Sequence, residues 1–129
     1  MVNITLDATL RVAAGPTLDV GAALDLDSYS ASQLVLKKAA STEVALLPEA
    51  KQVALLAVRV RTEDGAAADV EMATKNAKGA GVTVVVSGGL VVASKDVLAA
   101  LVKDGGPRTL TFANKGDPTI VVDVIAALD

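Results

Sequence analysis

The chain has 129 residues and a mass of 13.0 kDa, and 67 residues (52%) are apolar, among them 24 Ala, 20 Val and 16 Leu. Tyr29 and Phe112 are its only aromatic residues, and it holds no Trp, His or Cys. That composition excludes zinc and haem sites that recruit His or Cys, every Ser–His or Cys–His nucleophile, a disulfide scaffold, and stacking platforms for sugars or bases. Twelve basic residues against fifteen acidic ones give a net charge of −3, with no cationic stripe of the kind that displaces counterions from nucleic acid.

The opening segment alternates with period two. Val2, Ile4, Leu6, Ala8, Leu10 and Val12 fall on one side, and Asn3, Thr5, Asp7, Thr9 and Arg11 on the other. Such a run predicts a strand with one buried face. Gly15-Pro16 ends it, and Leu18–Leu26 repeats the alternation through Leu18, Val20, Ala22, Leu24 and Leu26. Gln33–Lys38 and Glu43–Leu47 are short strand candidates, and Pro48–Lys51 has the composition of a turn. The following segment is ambiguous. Pro48 could open a helix, but the Val58-Arg59-Val60-Arg61 ending favours a strand over Ala54–Arg61.

Glu63-Asp64-Gly65 predicts a turn, Ala68–Thr74 a strand and Asn76–Gly81 a loop. Val82–Ser87, Gly88-Gly89 and Leu90–Ala93 predict a hairpin, since paired glycines suit a two-residue turn. Ser94–Lys103 is the one expected helix, with Ser94 at its N-cap, Asp96 in the first turn and Gly105 beyond its end. Pro107 restarts the chain. Thr109–Ala113 predicts a strand with Leu110 and Phe112 inward, and Thr119–Ala126 a closing strand.

The expected fold is therefore all-β: a two-sheet antiparallel β-sandwich, jelly-roll-like, of about nine strands with one short helix at 95–103. It occupies a single domain over residues 1–129. An α+β fold is the alternative if Pro48–Ala57 and Ser94–Lys103 are both helical. The N-terminus has neither a basic region nor a continuous apolar run, so no signal peptide is expected. No stretch reaches the roughly 20 apolar residues of a spanning helix.

No residue pattern identifies a reaction. Asp25-Leu26-Asp27-Ser28 begins like a calcium loop, but Ser30 stands where the loop needs Gly and Leu36 where it needs Glu. Gly79-Ala80-Gly81 is too short for a dinucleotide loop and does not link a strand to a helix. Lys75-Asn76, Lys95-Asp96, Lys103-Asp104 and Asn114-Lys115 hold ingredients for acid–base or isopeptide chemistry, but neighbours along a chain point apart. No catalytic, cofactor-binding or metal-binding residue is assigned.

The apolar content is the informative feature. Val53–Val58, Val84–Val86, Leu90–Val92 and Ile120–Ile125 are apolar on both parities, as in strands covered on both faces. A lone two-layer sandwich should leave its outer faces polar, so the excess points to a surface covered by another copy or another protein, the alternative being tight core packing with ordinary exposed Ala. The expected assembly surface is the opening strand, through Val2, Ile4 and Leu6, because nothing precedes it and its alternation is long. Arg59 and Arg61, on one strand face, would either pair with acidic neighbours at an interface or form an ordinary exposed face.

In layout the chain resembles the small β-sandwich structural proteins of tailed-bacteriophage virions. The resemblance rests on TEVALLP at Thr42–Pro48, QVALLAVRV at Gln52–Val60, and GGPRTLTFAN at Gly105–Asn114 followed by the closing strand TIVVDVIAAL. It spans about half the chain at the level of pattern. It implies a passive component of a capsid, neck or tail, placed in the virion after synthesis in the host cytoplasm. Its partners would be copies of itself and other virion structural proteins, with no cofactor, nucleic acid, membrane or small-molecule substrate. Three other readings are a carbohydrate- or cell-surface-binding module, with specificity in loops Asn76–Gly81 and Asp104–Arg108, an enzyme, and a designed scaffold.

Overall fold

The computed structural model describes residues 2–46, 52–102 and 106–129. Two expected features, the turn Pro48–Lys51 and the helix end at Lys103, lie outside these residues, as does part of the loop Asp104–Arg108. The elements run β1 (Val2–Arg11), β2 (Thr17–Leu26), β3 (Ser28–Leu36), β4 (Ser41–Ala45), β5 (Val53–Thr62), β6 (Asp69–Asn76), β7 (Gly79–Ser87), β8 (Gly89–Val92), α1 (Lys95–Ala99), β9 (Thr109–Ala113) and β10 (Ile120–Leu128).

Strands β3 to β10 form two four-stranded antiparallel sheets, in the orders β3-β10-β5-β8 and β4-β9-β6-β7. Consecutive strands alternate between the sheets except at the β6–β7 hairpin. Eight strands wound in this way make a jelly roll. The sandwich holds eight of the ten strands, and β1 and β2 form a separate two-stranded ribbon.

Between the sheets, Leu36, Leu56, Met72, Leu110, Phe112 and Val122 are almost wholly buried. Phe112 is the one large ring in this layer, and the rest is filled by aliphatic side chains on inward parities. Thr74 is one buried polar residue and Asn114 the other among those described. The Asn114 amide donates to the carbonyls of Leu36 (3.0 Å) and Pro118 (2.8 Å) and accepts from the Gly116 N–H (3.0 Å). The loop after β9 is thereby fastened to the end of β3.

Three expectations need correcting. Residues 82–93 do not form a hairpin: β7 pairs with β6, whereas β8 pairs with β5 in the opposite sheet. Gly88, at φ +78°, turns the chain from one sheet to the other. Gly89 already lies in β8, where a Cβ would sit 3.3 Å from the Val58 carbonyl oxygen. One glycine turns the chain and the other permits close strand approach.

The loop expected over Asn76–Gly81 is a tighter turn, since β6 runs to Asn76 and β7 starts at Gly79. Gly81 is a strand residue against the segment that follows α1, where a Cβ would meet the Leu101 carbonyl oxygen at 2.1 Å. Thr74 bridges the same place, donating to that oxygen (3.0 Å) and accepting from the Val82 N–H (3.0 Å).

The helix is also shorter than expected. Ser94 caps it, accepting from the Val97 N–H at 3.4 Å, but α1 ends at Ala99 after a little more than one turn. Leu98 alone among its residues is buried. With so small an apolar face, packing cannot extend a segment whose helical nucleus is itself costly. Over 53–62 the strand reading holds, because β5 is an interior strand hydrogen-bonded to both β10 and β8.

Candidate assembly surface

The β1–β2 ribbon is an arm. Among the described residues its strands pair only with each other. Register places Val2 opposite Leu26, Ile4 opposite Leu24, Leu6 opposite Ala22, Ala8 opposite Val20 and Leu10 opposite Leu18. Every one of these pairs is apolar, so the period-two patterns of the two strands add on one face. The other face is polar and internally bonded: Asn3 donates to its partner Asp25 (2.8 Å), and Thr9 to its partner Asp19 (3.0 Å). At about 3.4 Å per residue, ten-residue strands give a ribbon roughly 34 Å long.

The two ends of the arm have different surroundings. At the root, Ile4 and Leu24 pack on a cluster of Leu26, Ala54, Leu55 and Ala127. This cluster accounts for the apolar residues on both parities of β5 and β10: Ala54, Leu55 and Ala127 are buried beneath the arm, while Leu56, Val58, Ala126 and Val124 fill the layer between the sheets. Beyond Leu6 the cover stops. Leu10, Val12, Leu18 and Val20 are 62%, 53%, 58% and 50% exposed. Of the residues expected to mark an assembly strand, Val2, Ile4 and Leu6 thus lie half-buried toward the root, and the open face lies farther along. Its β2 half shares the alternation noted for Leu18–Leu26, but β1–β2 pairing is what joins the halves.

Arg59 and Arg61 stand on the outer face of the β3-β10-β5-β8 sheet beside Asp123. The Arg59 guanidinium donates twice to Asp123 Oδ2, at 3.1 Å from Nε and 2.8 Å from Nη2, and Gln33 donates to Oδ1 at 2.8 Å. Arg61 Nε lies 3.7 Å from the same carboxylate. The two arginines therefore have an acidic partner within their own chain. The hydrogen bonds from Arg59 and then Gln33 hold the Asp123 carboxyl below the usual carboxylate range, with the arginine charges acting in the same direction.

The two outer faces of the sandwich differ in polarity. On β4-β9-β6-β7, the cross-strand row Thr83–Ala73–Thr111–Glu43 is mostly polar, and Lys75 pairs with Glu43 nearby. On β3-β10-β5-β8, register aligns Ala31, Ile125, Ala57 and Val91 in one row without a polar side chain. Ile125 is 43% exposed and Val91 49%. The first pattern is the ordinary solvated face of an antiparallel sheet. The second is an apolar strip open to water.

The loops considered for recognition meet at one end of the molecule. Asn76 donates to the Gly106 carbonyl (3.1 Å) and accepts from the Lys78 N–H (2.9 Å), and the Arg108 N–H donates to the Lys75 carbonyl (2.9 Å). Elsewhere, a cleft of about 570 Å³ is lined in part by Thr62, Asp69, Glu71, Asn114 and Lys115. The Asn114 amide beside it is committed to the three bonds described above. Among the described residues there is no group of three or more acidic side chains placed to hold a metal ion, and no helix is long and apolar enough to cross a membrane. No protein-family model, curated protein or solved structure matches this chain.

Proposed function

We propose that this chain is a non-enzymatic assembly protein that works by fitting against copies of itself and other structural proteins, as a component stabilising the capsid, neck or tail of a virion. One observation carries the assembly reading: the distal half of the β1–β2 arm presents Leu10, Leu18 and Val20 on a single uncovered face, with exposed Val12 just beyond the end of β1. A two-stranded ribbon is marginal on its own in water, and a contiguous apolar face on such a ribbon is favourable once buried, at about 25 cal/mol per Å². An arm with one polar and one apolar face suits docking against a neighbour. The placement in a virion is supported by the layout resemblance in Thr42–Pro48, Gln52–Val60 and Gly105–Asn114.

Native mass spectrometry of the protein at micromolar concentration tests the assembly reading. A discrete oligomer is expected for the unaltered chain, and Leu10→Asp/Leu18→Asp should release monomers. A strictly monomeric unaltered protein that also fails to bind virion particles overturns it. The coding sequence tests the virion placement separately, since genes for a portal, terminase or major capsid protein are expected beside it. A carbohydrate-binding module is the second reading. The meeting of residues 75–78 with 106–108 favours it, and a glycan array without hits removes it.

A further inference from the structure

We infer that the distal arm of one copy seats on the Ala31–Ile125–Ala57–Val91 row of a second copy. The inference rests on the assembly reading above and names the surface that receives the arm.

Three observations lead to this seat. The first is continuity. The arm root already packs its apolar face on this outer sheet face, with Ile4 and Leu24 against Leu55 and Ala127. Ala127 and Ile125 are successive outward residues of β10, and Leu55 and Ala57 successive outward residues of β5. The receiving row therefore extends an apolar surface of a kind that this ribbon already covers.

The second observation is contrast. The opposite outer face carries polar residues such as Thr83, Thr111 and Glu43 across its strands and is suited to water. The Ala31–Val91 row is apolar on all four strands of its sheet. Beside it the Arg59–Asp123–Gln33 cluster is bonded within the chain, so a ribbon lying on the row need not cover an unpaired charge.

The third is fit. Four strands about 4.8 Å apart make the row roughly 14 Å long, and the uncovered end of the ribbon, from Ala8 to Arg11, spans roughly 10 Å at 3.4 Å per residue and so fits along it. Both surfaces are exposed in the single chain, which leaves the arm and the row available to different copies. Each copy then gives one arm and offers one row, a head-to-tail contact that closes into a ring where the rotation between copies permits and otherwise continues as a filament.

The lack of cysteine permits a direct test. The double variant Leu18→Cys/Val91→Cys is oxidised with glutathione disulfide at the concentration where native mass spectrometry finds the oligomer. Covalently joined peptides are then mapped by mass spectrometry. The control is Thr9→Cys/Val91→Cys, whose arm thiol lies on the polar face. An intermolecular disulfide between positions 18 and 91 is expected in at least tenfold excess over one between positions 9 and 91 of the control. Equal yields, no intermolecular bond within an intact oligomer, or bonds that only join position 18 of one copy to position 18 of another would place the arm elsewhere and overturn the inference.

A companion measurement separates the two levels of failure. With the seat correct, Val91→Asp/Ala57→Asp should dissociate the oligomer just as Leu10→Asp/Leu18→Asp is expected to. If only the arm variant dissociates it, assembly stands and this seat is wrong. If the unaltered protein is monomeric and ignores virion particles, both ideas fail together.

Discussion

Leu10 and Leu18 face each other across the β1–β2 ribbon, are each more than half exposed, and have cross-strand register but no cover beneath them. Farther toward the root, Ile4 and Leu24 stand in the same relation with the sheet below them. The difference between these pairs separates the anchored part of the arm from the part left to a neighbour.

The first prediction concerns exchange of backbone amides. Local stability follows burial, so hydrogen-bonded amides between residues 8 and 20 should exchange rapidly in dilute protein, while those of β5 and β10 exchange slowly. Protection of the arm should rise with protein concentration as neighbours cover it. Hydrogen–deuterium exchange at two concentrations checks this, and an arm equally protected at both would contradict it.

Gly81 should tolerate no side chain. A Cβ there would lie 2.1 Å from the Leu101 carbonyl oxygen and 2.4 Å from Thr74 Oγ1, and the first of these is backbone. Gly81→Ala is expected to destabilise the fold by about 2–3 kcal/mol, the upper range for overpacking. Gly116→Ala is the matched control, because its Cβ would meet only ordinary contacts at 3.7 Å; it should change stability by less than about 0.5 kcal/mol. Urea unfolding of the pair measures both.

Asn114 offers a test of a buried polar group. Its amide nitrogen satisfies two carbonyls and its oxygen satisfies one N–H. Asn114→Ala should cost about 1–3 kcal/mol, because it leaves the buried partners without these bonds. Asn114→Asp should cost more at neutral pH, since a carboxylate has no hydrogen to donate to the Leu36 and Pro118 carbonyls. Thermal unfolding should rank native above Ala and Ala above Asp.

Asp123 predicts a component of the acid dependence. Its carboxyl is held below the ordinary range, first by Arg59 and then by Gln33. A depressed folded-state value contributes stability above the unfolded carboxylate value of about 3.9 and loses it as pH falls through the folded value. The urea midpoint should therefore fall below pH 4 more steeply for the native protein than for Asp123→Asn. Identical slopes would remove this carboxylate from the account.

Much of the architecture is legible in local patterns. Alternation over Val2–Val12 and Leu18–Leu26 marks both arm strands, and Leu110 and Phe112 point inward as their parity requires. The start of β3 is hidden because Ser30 and Ser32 occupy half-buried positions on the same parity as Leu36, where the eye expects aliphatic residues. Gly88-Gly89 suggests a hairpin because composition cannot distinguish a turn glycine from one admitting a close strand. The apolar row is visible only as an excess of Val, Ile and Ala on outward parities. Its continuity depends on which strands adjoin β10 and β5, a relation set by contacts distant in the chain.

One residue, Asp27, separates the last position of β2 from the first of β3, and its N–H is tied to the Leu128 carbonyl at 2.8 Å. A joint this short gives the projecting limb a defined take-off direction while confining any swing to a few dihedral angles. Subunits in unequal surroundings are then reached by bending of the uncovered half beyond Leu6, while the root stays seated on the sandwich. The latch on that joint belongs to the final strand, so alterations near the carboxyl end should be felt as a change in reach at the amino end.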